Sequence, residues 1–323
     1  MVTVIGRTAL VCGATGQTGA LLSRELLNNG YAVVGTTREE TTHNLWRLEK
    51  LKIRDDMQMI TLPEFRPPGV LNLLEQVLPD EIYFLAGPSS VATSFREPAS
   101  TLQQLVFPVI NFLEVLRKSN SRTKFFNAAS VEIFGNQVGS VLNEKSTLDP
   151  VSPYGVGKAT NYLTTRNYRE AFGVASSSGI LTNHESPLRG PGFFAQSVIS
   201  GLKSVKRGDQ KTLNLGSLRG GRDWLWAPEV AKAIYLICSG PEDGDYLVAS
   251  GDTRPLSDFV ETACRFLHLD MEAIVTFDSE KIRPLDIQHN TYDPSGFMGA
   301  FDWRPGLTME EIIERLLQED ILP

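Results

Sequence analysis

A short apolar run, Thr8–Cys12 (TALVC), leads directly into GATGQTG, residues 13–19, and then into ALLSRELLNNGY. In the last stretch Leu21, Leu22, Leu26 and Leu27 recur at helical spacing, and Gly30 suits the end of a helix. Residues 32–36 (AVVGT) form a second apolar, β-branched run. Strand, glycine turn, helix and strand in so few residues predict a βαβ unit with parallel strands. The turn also carries chemistry. Glycines three apart remove the Cβ atoms that would hold the backbone away from a pyrophosphate, and the following helix offers its N-terminal N–H groups to the same anion. Gly13, Gly16 and Gly19, with Thr15 and Gln17 between them, are therefore candidate dinucleotide ligands. The alternative is a tight turn that binds nothing.

The alternation continues. Strands are predicted at 57–62, 81–85, 124–129 and 175–181, and helices at 71–77, 102–118 and 155–173, with Pro108 expected to kink the second of these helices. The fold class is α/β: a Rossmann-type doubly wound parallel sheet over residues 1–180. Residues 181–323 carry Gly and Pro clusters and helical patterns at 195–205, 227–237, 255–267 and 309–319. They predict a smaller, loop-rich substrate-binding lobe, some segments of which return to the first domain. A ligand is expected in the crevice between the two, at the carboxyl ends of the strands.

A net charge of −7 argues against a nucleic-acid partner, whose binding rests on cationic contacts to phosphate. Cys12, Cys238 and Cys264 are far apart and odd in number, which suits a reducing compartment and no disulfide framework. With four scattered histidines they show no metal-ligand spacing. No signal peptide or membrane-spanning run is read, so a cytoplasmic protein without a membrane partner is expected.

The end of the second strand bears on the choice of cofactor. NAD binders place an acid there for the ribose hydroxyls; this chain has Thr36, Thr37 and Arg38. An arginine pairs with a 2′-phosphate, so NADP is expected ahead of NAD. With Glu39 and Glu40 beside it, Arg38 as a solvated surface charge is the alternative.

Two further stretches point to catalysis. SPYGVGK, residues 152–158, places Tyr154 and Lys158 four apart on one helical face. A lysine near a tyrosine is expected to favour the phenolate and lower its pKa. FFNAASVEIFG, residues 125–135, ends a strand at Ser130 and sets one carboxylate, Glu132, among Val131, Ile133 and Phe134. A glutamate simply facing water is the alternative there.

Ser130, Tyr154 and Lys158 after a glycine turn resemble the catalytic trio of the extended short-chain dehydrogenase/reductase superfamily, in which the tyrosine and lysine also meet the cofactor. NYREAFG (167–173), SSGILTNHESPLRG (177–190), GRDW (221–224), RPLDI (283–287) and RDDMQ after WRLEKLKI resemble the GDP-mannose 4,6-dehydratase family over nearly the whole chain. The resemblance implies a GDP-mannose or related GDP-hexose substrate. It implies that Tyr154 takes the 4-hydroxyl proton, Lys158 lowers the tyrosine pKa, Ser130 bonds the reacting oxygen and Glu132 removes the C5 proton. It places Asn183, Arg189 and Arg222 along the nucleotide and diphosphate, Arg283 and Asp286 at the ribose, and Ser89 among the substrate contacts. A structural ion pair between lobes is the alternative for these charged residues, and His184 and Glu185 are read as shaping their loop. Family members form dimers or tetramers. The loop after the second strand, TTREETTHN, departs from the tetrameric pattern, so a homodimer is expected, with a tetramer as the alternative.

The chain also departs from the family elsewhere. Val131 stands where a serine is usual, and Pro63, Pro88 and Pro108 fall near the cofactor and sugar. A GDP-4-keto-sugar reductase or epimerase, and a non-catalytic NADP-binding protein, therefore stay open.

Overall fold

The computed structural model describes residues 6–320, and seven of their strands lie side by side in one sheet. In chain order the strands are β1 (Thr8–Cys12), β2 (Ala32–Thr37), β3 (Gln58–Thr61), β4 (Glu81–Phe84), β5 (Lys124–Ser130), β6 (Val141–Leu142), β7 (Ser176–Leu181), β8 (Asn183–Glu185), β9 (Leu213–Leu215), β10 (Gly221–Trp226), β11 (Asp245–Val248), β12 (Thr253–Pro255), β13 (Val275–Phe277) and β14 (Thr291–Tyr292). The large sheet has the order β3-β2-β1-β4-β5-β7-β11, and every pair in it is parallel. Its direction of growth reverses between β1 and β4, which opens a crevice at their carboxyl ends. The doubly wound α/β fold expected from the sequence is the one observed.

Both faces of the sheet are covered, which is why β4 and β7 are buried at every residue. Helices Gln17–Asn28 and Ala227–Ser239 pack over one face with Leu22, Leu26, Ile234 and Ile237. Helices Pro67–Val77 and Pro98–Lys118 cover the other with Val70, Leu73, Val109, Phe112 and Leu116. The smaller lobe joins β8, β10 and β12 in a second sheet. Helices Phe194–Arg207, Leu256–Leu267 and Met309–Gln318 close a separate core there around Trp224, Trp226 and Phe259.

Four features differ from the sequence expectation or add to it. The helix expected at 102–118 starts at Pro98 and continues through Pro108, while Asn161 of the neighbouring helix donates its amide to Leu105 O at 3.0 Å. Helix Thr42–Lys50, begun by a Thr41 cap on the Asn44 N–H, lies in a stretch read as a loop followed by a motif. The short helix Val91–Arg96, capped by Ser90, was not foreseen. The large sheet takes its last strand, β11, from the second half of the chain, where Asp245 pairs with Arg169 at 2.6 Å.

Candidate active site

Helix Gln17–Asn28 starts at Gly16, which is exposed and puts no capping side chain over the first turn. The N–H groups there consequently keep no side-chain acceptor. A Cβ on Gly19 would stand 2.2 Å from the Gly13 carbonyl, so the turn closes only around glycine. This open, side-chain-free cradle at a helix N-terminus fits the pyrophosphate of a dinucleotide. The side-chain amide of Gln17 is taken up within the chain: it donates to His184 O at 3.0 Å and accepts from Ser186 Oγ at 2.8 Å. Arg38 directly follows β2 and is exposed, while the neighbouring Glu40 is taken up by Arg54 at 3.4 Å.

Three residues that the sequence did not single out as site residues tie the loop after β7 to the glycine turn. Arg47 donates to Thr15 O at 3.1 Å and to Leu188 O at 2.7 Å. The imidazole of His184 lies 2.9 Å from Thr182 O through Nδ1 and 2.9 Å from Thr18 Oγ1 through Nε2. Burial, helped by the Arg189 charge, pushes His184 down to about 4, so the ring is neutral. A carbonyl only accepts, so Nδ1 carries the proton and Nε2 accepts from Thr18. A lone arginine within a helical pattern and a threonine in a turn carry no sequence signal of this role.

Catalytic candidates gather where β5 ends. After Ser130 the chain enters a 3₁₀ turn, Val131–Phe134, and the Glu132 N–H donates to Ser130 Oγ at 3.3 Å. The Ser130 hydroxyl also acts on the Tyr154 phenol, favouring its ionised form. Tyr154 sits in the first turn of helix Pro153–Phe172, whose Ser152 cap accepts from the Gly155 N–H at 3.0 Å. The start of this helix lies directly on the Glu132 turn: a Cβ on Gly155 would come within 2.8 Å of Glu132 O. Lys158 donates to Ala128 O at 2.6 Å, and its Nζ lies 5.7 Å from the Tyr154 ring centre. Ser130, Glu132, Tyr154 and Lys158 are thus brought together.

The tyrosine pKa corrects the sequence expectation. Burial pushes Tyr154 up to about 12, and the Glu132 charge adds to this, against a bond from Ser130 and the charge of Arg189. Lys158 is anchored on a backbone carbonyl in the same dry pocket, and burial pushes it down to about 8. Burial also raises Glu132, while Arg222 and Arg283 oppose the rise.

The proposed nucleotide contacts divide into two groups. Arg222 and Arg283 both donate to Oδ1 of Asp286, at 2.7 and 3.0 Å. Arg222 also donates to Gly221 O and Ile287 O, at 2.8 and 2.9 Å. These three residues form one ion-paired cluster whose charges reach Glu132. Arg189 instead lies 3.6 Å from Glu185 and stacks 3.7 Å over Phe193, and its charge acts on Tyr154, His184 and Arg47. Asn183 opens β8, opposite Trp224 of β10. Ser89 is exposed, one residue before the Ser90 cap. A buried carboxylate outside the sequence candidates, Asp223, accepts from Ser250 N and Gly251 N at 2.9 and 2.8 Å and fixes the turn after β11.

Known proteins place this geometry in context. A family profile described as GDP-mannose 4,6 dehydratase matches residues 10–316. The chain is 31% identical to a GDP-mannose 4,6-dehydratase of Sinorhizobium fredii, over 98% of its length and 97% of the relative's. It is also 31% identical to the GDP-mannose 4,6-dehydratase sdnI of Sordaria araneosa, of which it spans 61%. Among solved structures, the dTDP-glucose 4,6-dehydratase of Bacillus anthracis in complex with NAD superposes with a TM-score of 0.84, over 97% of this chain and 96% of that one, at 17% identity. That likeness shows the fold alone; the profile match and the full-length rhizobial relative go further, and the chain belongs to the GDP-mannose 4,6-dehydratase family.

Proposed function

We propose that this protein is a 4,6-dehydratase of GDP-mannose or a related GDP-hexose. One observation carries the proposal: the 3₁₀ turn bearing Glu132 packs through its backbone carbonyl on the first turn of the Tyr154 helix, so its half-buried carboxylate shares the end of β5 with Ser130 and Lys158 and feels two arginine charges. Oxidation of an alcohol needs no second carboxylate; loss of water next to a new ketone does.

The net reaction converts a GDP-hexose into a GDP-4-keto-6-deoxy-hexose and water. A nicotinamide dinucleotide held by the glycine cradle of Gly13, Gly16 and Gly19 would supply the hydride acceptor for C4 and the hydride donor for C6. Tyr154 takes the proton of the 4-hydroxyl, and Ser130 bonds the same oxygen. Lys158 sets a positive charge against the phenolate that forms. The C4 ketone acidifies the C5 proton, which Glu132 removes. The same carboxylate then protonates the departing 6-hydroxyl, so the C5–H and C6–O bonds break as a C5–C6 double bond forms. Hydride addition at C6 and return of the proton held by Tyr154 to C5 complete the balance and reset the site. Arg222 and Arg189 pair with the diphosphate beside Asn183; Arg283 and Asp286 bond the ribose, and Ser89 lines the sugar.

The test is incubation with GDP-mannose and catalytic NADP. Loss of one water by mass spectrometry, with no net change in nicotinamide absorbance, is expected. Stoichiometric consumption of NADPH on a 4-keto-sugar, without water loss, points instead to a reductase.

Exposed Arg38 supports NADP as the cofactor. Arg38→Ala is expected to raise the KM for NADP about tenfold or more and to leave that for NAD within about twofold, as loss of a charged phosphate contact does. Equal KM changes for both overturn the preference.

The pH profile follows from two groups. Glu132 must be unprotonated to act, so kcat/KM rises through a pKa above its ordinary 4.5. Lys158 must stay charged, so kcat/KM falls as pH passes about 8. Lys158→Arg is expected to move the alkaline limb to higher pH; a limb that stays in place assigns it to another group.

A homodimer is supported by exposed apolar side chains on two neighbouring helices: Phe107 (58%), Val156 (41%) and Leu163 (43%). Helix Pro98–Lys118 is apolar enough by composition to cross a membrane and is only about one third buried within the chain. A second copy of the same face would cover it. Sedimentation velocity showing a monomer alone at micromolar concentration rules this out.

A further inference from the structure

Resting on the dehydratase proposal, we infer that Asn290, together with Asn136, positions the catalytic base by tying the turn that carries Glu132 to the loop that carries Arg283 and Asp286. No hydrogen bond to the Glu132 carboxylate is found among the described residues, as suits a group that must take up and release a proton. Its position is therefore set by the turn, and the turn is set by the bonds that close it.

Those bonds come from two sources. Within the first domain, Glu132 N donates to Ser130, Asp149 N donates to Ile133 O at 3.0 Å, and Gln137 Nε2 donates to Phe134 O at 2.8 Å. Asn290 arrives from far along the chain. It is 1% exposed; its Nδ2 donates to Gly135 O at 2.7 Å, and its Oδ1 accepts from Gln137 N at 3.1 Å. It brackets Asn136, and Asn136 reaches back in the opposite direction. The Asn136 Nδ2 donates to Asp286 O at 3.0 Å, and its Oδ1 accepts from Gln288 N at 2.7 Å. Two asparagines, each using both ends of its amide, thus make a reciprocal clasp. The far side of the clasp is itself held to the smaller lobe: Arg222 donates to Ile287 O at 2.9 Å, and Thr253 Oγ1 donates to Asn290 O at 2.7 Å. Directly after Asn290, β14 pairs with β6.

The loop that would grip the nucleotide and the turn that would hold the base therefore form one connected body. Displacement of the loop is transmitted to Gly135 and Gln137, and from there to Glu132. Tyr154 and Lys158 sit on helix Pro153–Phe172, which packs on the turn at Gly155 but takes none of the clasp's hydrogen bonds, and Lys158 is anchored separately on Ala128. The clasp should therefore govern elimination more than oxidation.

Single-turnover mixing of the full chain with NADP and GDP-mannose, or the GDP-hexose it accepts, separates the two. The nicotinamide absorbance transient reads oxidation at C4, and quenched mass spectrometry reads water loss. Asn290→Ala is expected to lower the ratio of water loss to oxidation about tenfold or more, since misplacement of ~1 Å costs up to ~10²-fold. Asn136→Ala, at an exposed position, is expected to lower the same ratio about threefold or more while oxidation stays within about twofold. A merely structural role lowers both rates and the melting temperature in proportion and leaves the ratio unchanged. An unchanged ratio in the variants that fold overturns the inference, and if Asn290→Ala does not fold, Asn136→Ala decides alone. Failure of the unsubstituted protein to eliminate water from any GDP-hexose overturns the dehydratase proposal instead.

Discussion

Glu132→Gln is expected to slow water loss by about 10³-fold while the initial oxidation at C4 stays within about twofold, in line with removal of an essential general base. Glutamine keeps the shape of the side chain, and the turn that aims it is made of backbone and neighbouring groups: the Glu132 N–H on Ser130 and the Glu132 carbonyl against Gly155. What is lost is the ability to hold a proton. Rapid mixing should show the nicotinamide absorbance rise and remain high, because no C6 position is prepared to receive the hydride. An absorbance that rises and decays at the unsubstituted rate would remove Glu132 from the elimination step.

Tyr154→Phe is expected to abolish both signals, by about 10³-fold or more for oxidation and to the same extent for water loss, which depends on it. The phenol is half-buried, and desolvation with the Glu132 charge pushes it up to about 12. Its reluctance to ionise means that the proton must be accepted while charge is redistributed around it, with Lys158 as the nearby cation. Neither neighbour at the reacting oxygen can stand in: Ser130 lacks the basicity, and Lys158 is committed to Ala128 O. Retention of more than about a tenth of the oxidation rate would be too much for loss of the main proton acceptor and would assign that role elsewhere. The two variants together order the chemistry, since one stops it at the start and the other midway.

Local signals made much of this legible in the sequence. β1 falls on the expected residues because a short apolar run before a glycine turn has few other options. Tyr154 and Lys158 share a helical face by spacing alone, and Ser130 and Glu132 reach them because β5 ends beside that helix. What stayed hidden depends on partners distant in sequence. β11 is four residues long and reads as a strand only because β7 is there to pair with it. The side chain of Gln17 looked free for a ligand until the loop at 184–186 occupied both ends of its amide. The tyrosine pKa was misjudged for a related reason: spacing shows that a lysine is near, whereas its anchoring on Ala128 and the dryness around both groups are tertiary facts. Val131, noted in the sequence as a missing polar group, is 5% exposed and packs with Ile133 and Phe134, so its apolar character is used by the core beneath the turn.

The late arrival of β11 has a consequence for how the chain is made. Synthesis runs from the N-terminus, so β7 is complete some sixty residues before the strand that covers its outer edge, as the positions of Ser176–Leu181 and Asp245–Val248 show. During that interval SSSGIL, destined to be buried throughout, presents an unpaired row of backbone donors and acceptors, the kind of edge on which chains aggregate. Arg169 likewise waits for Asp245. The dinucleotide domain is therefore not finished when its own contiguous sequence ends, and nearly half of the smaller lobe must be synthesised before the larger one can close.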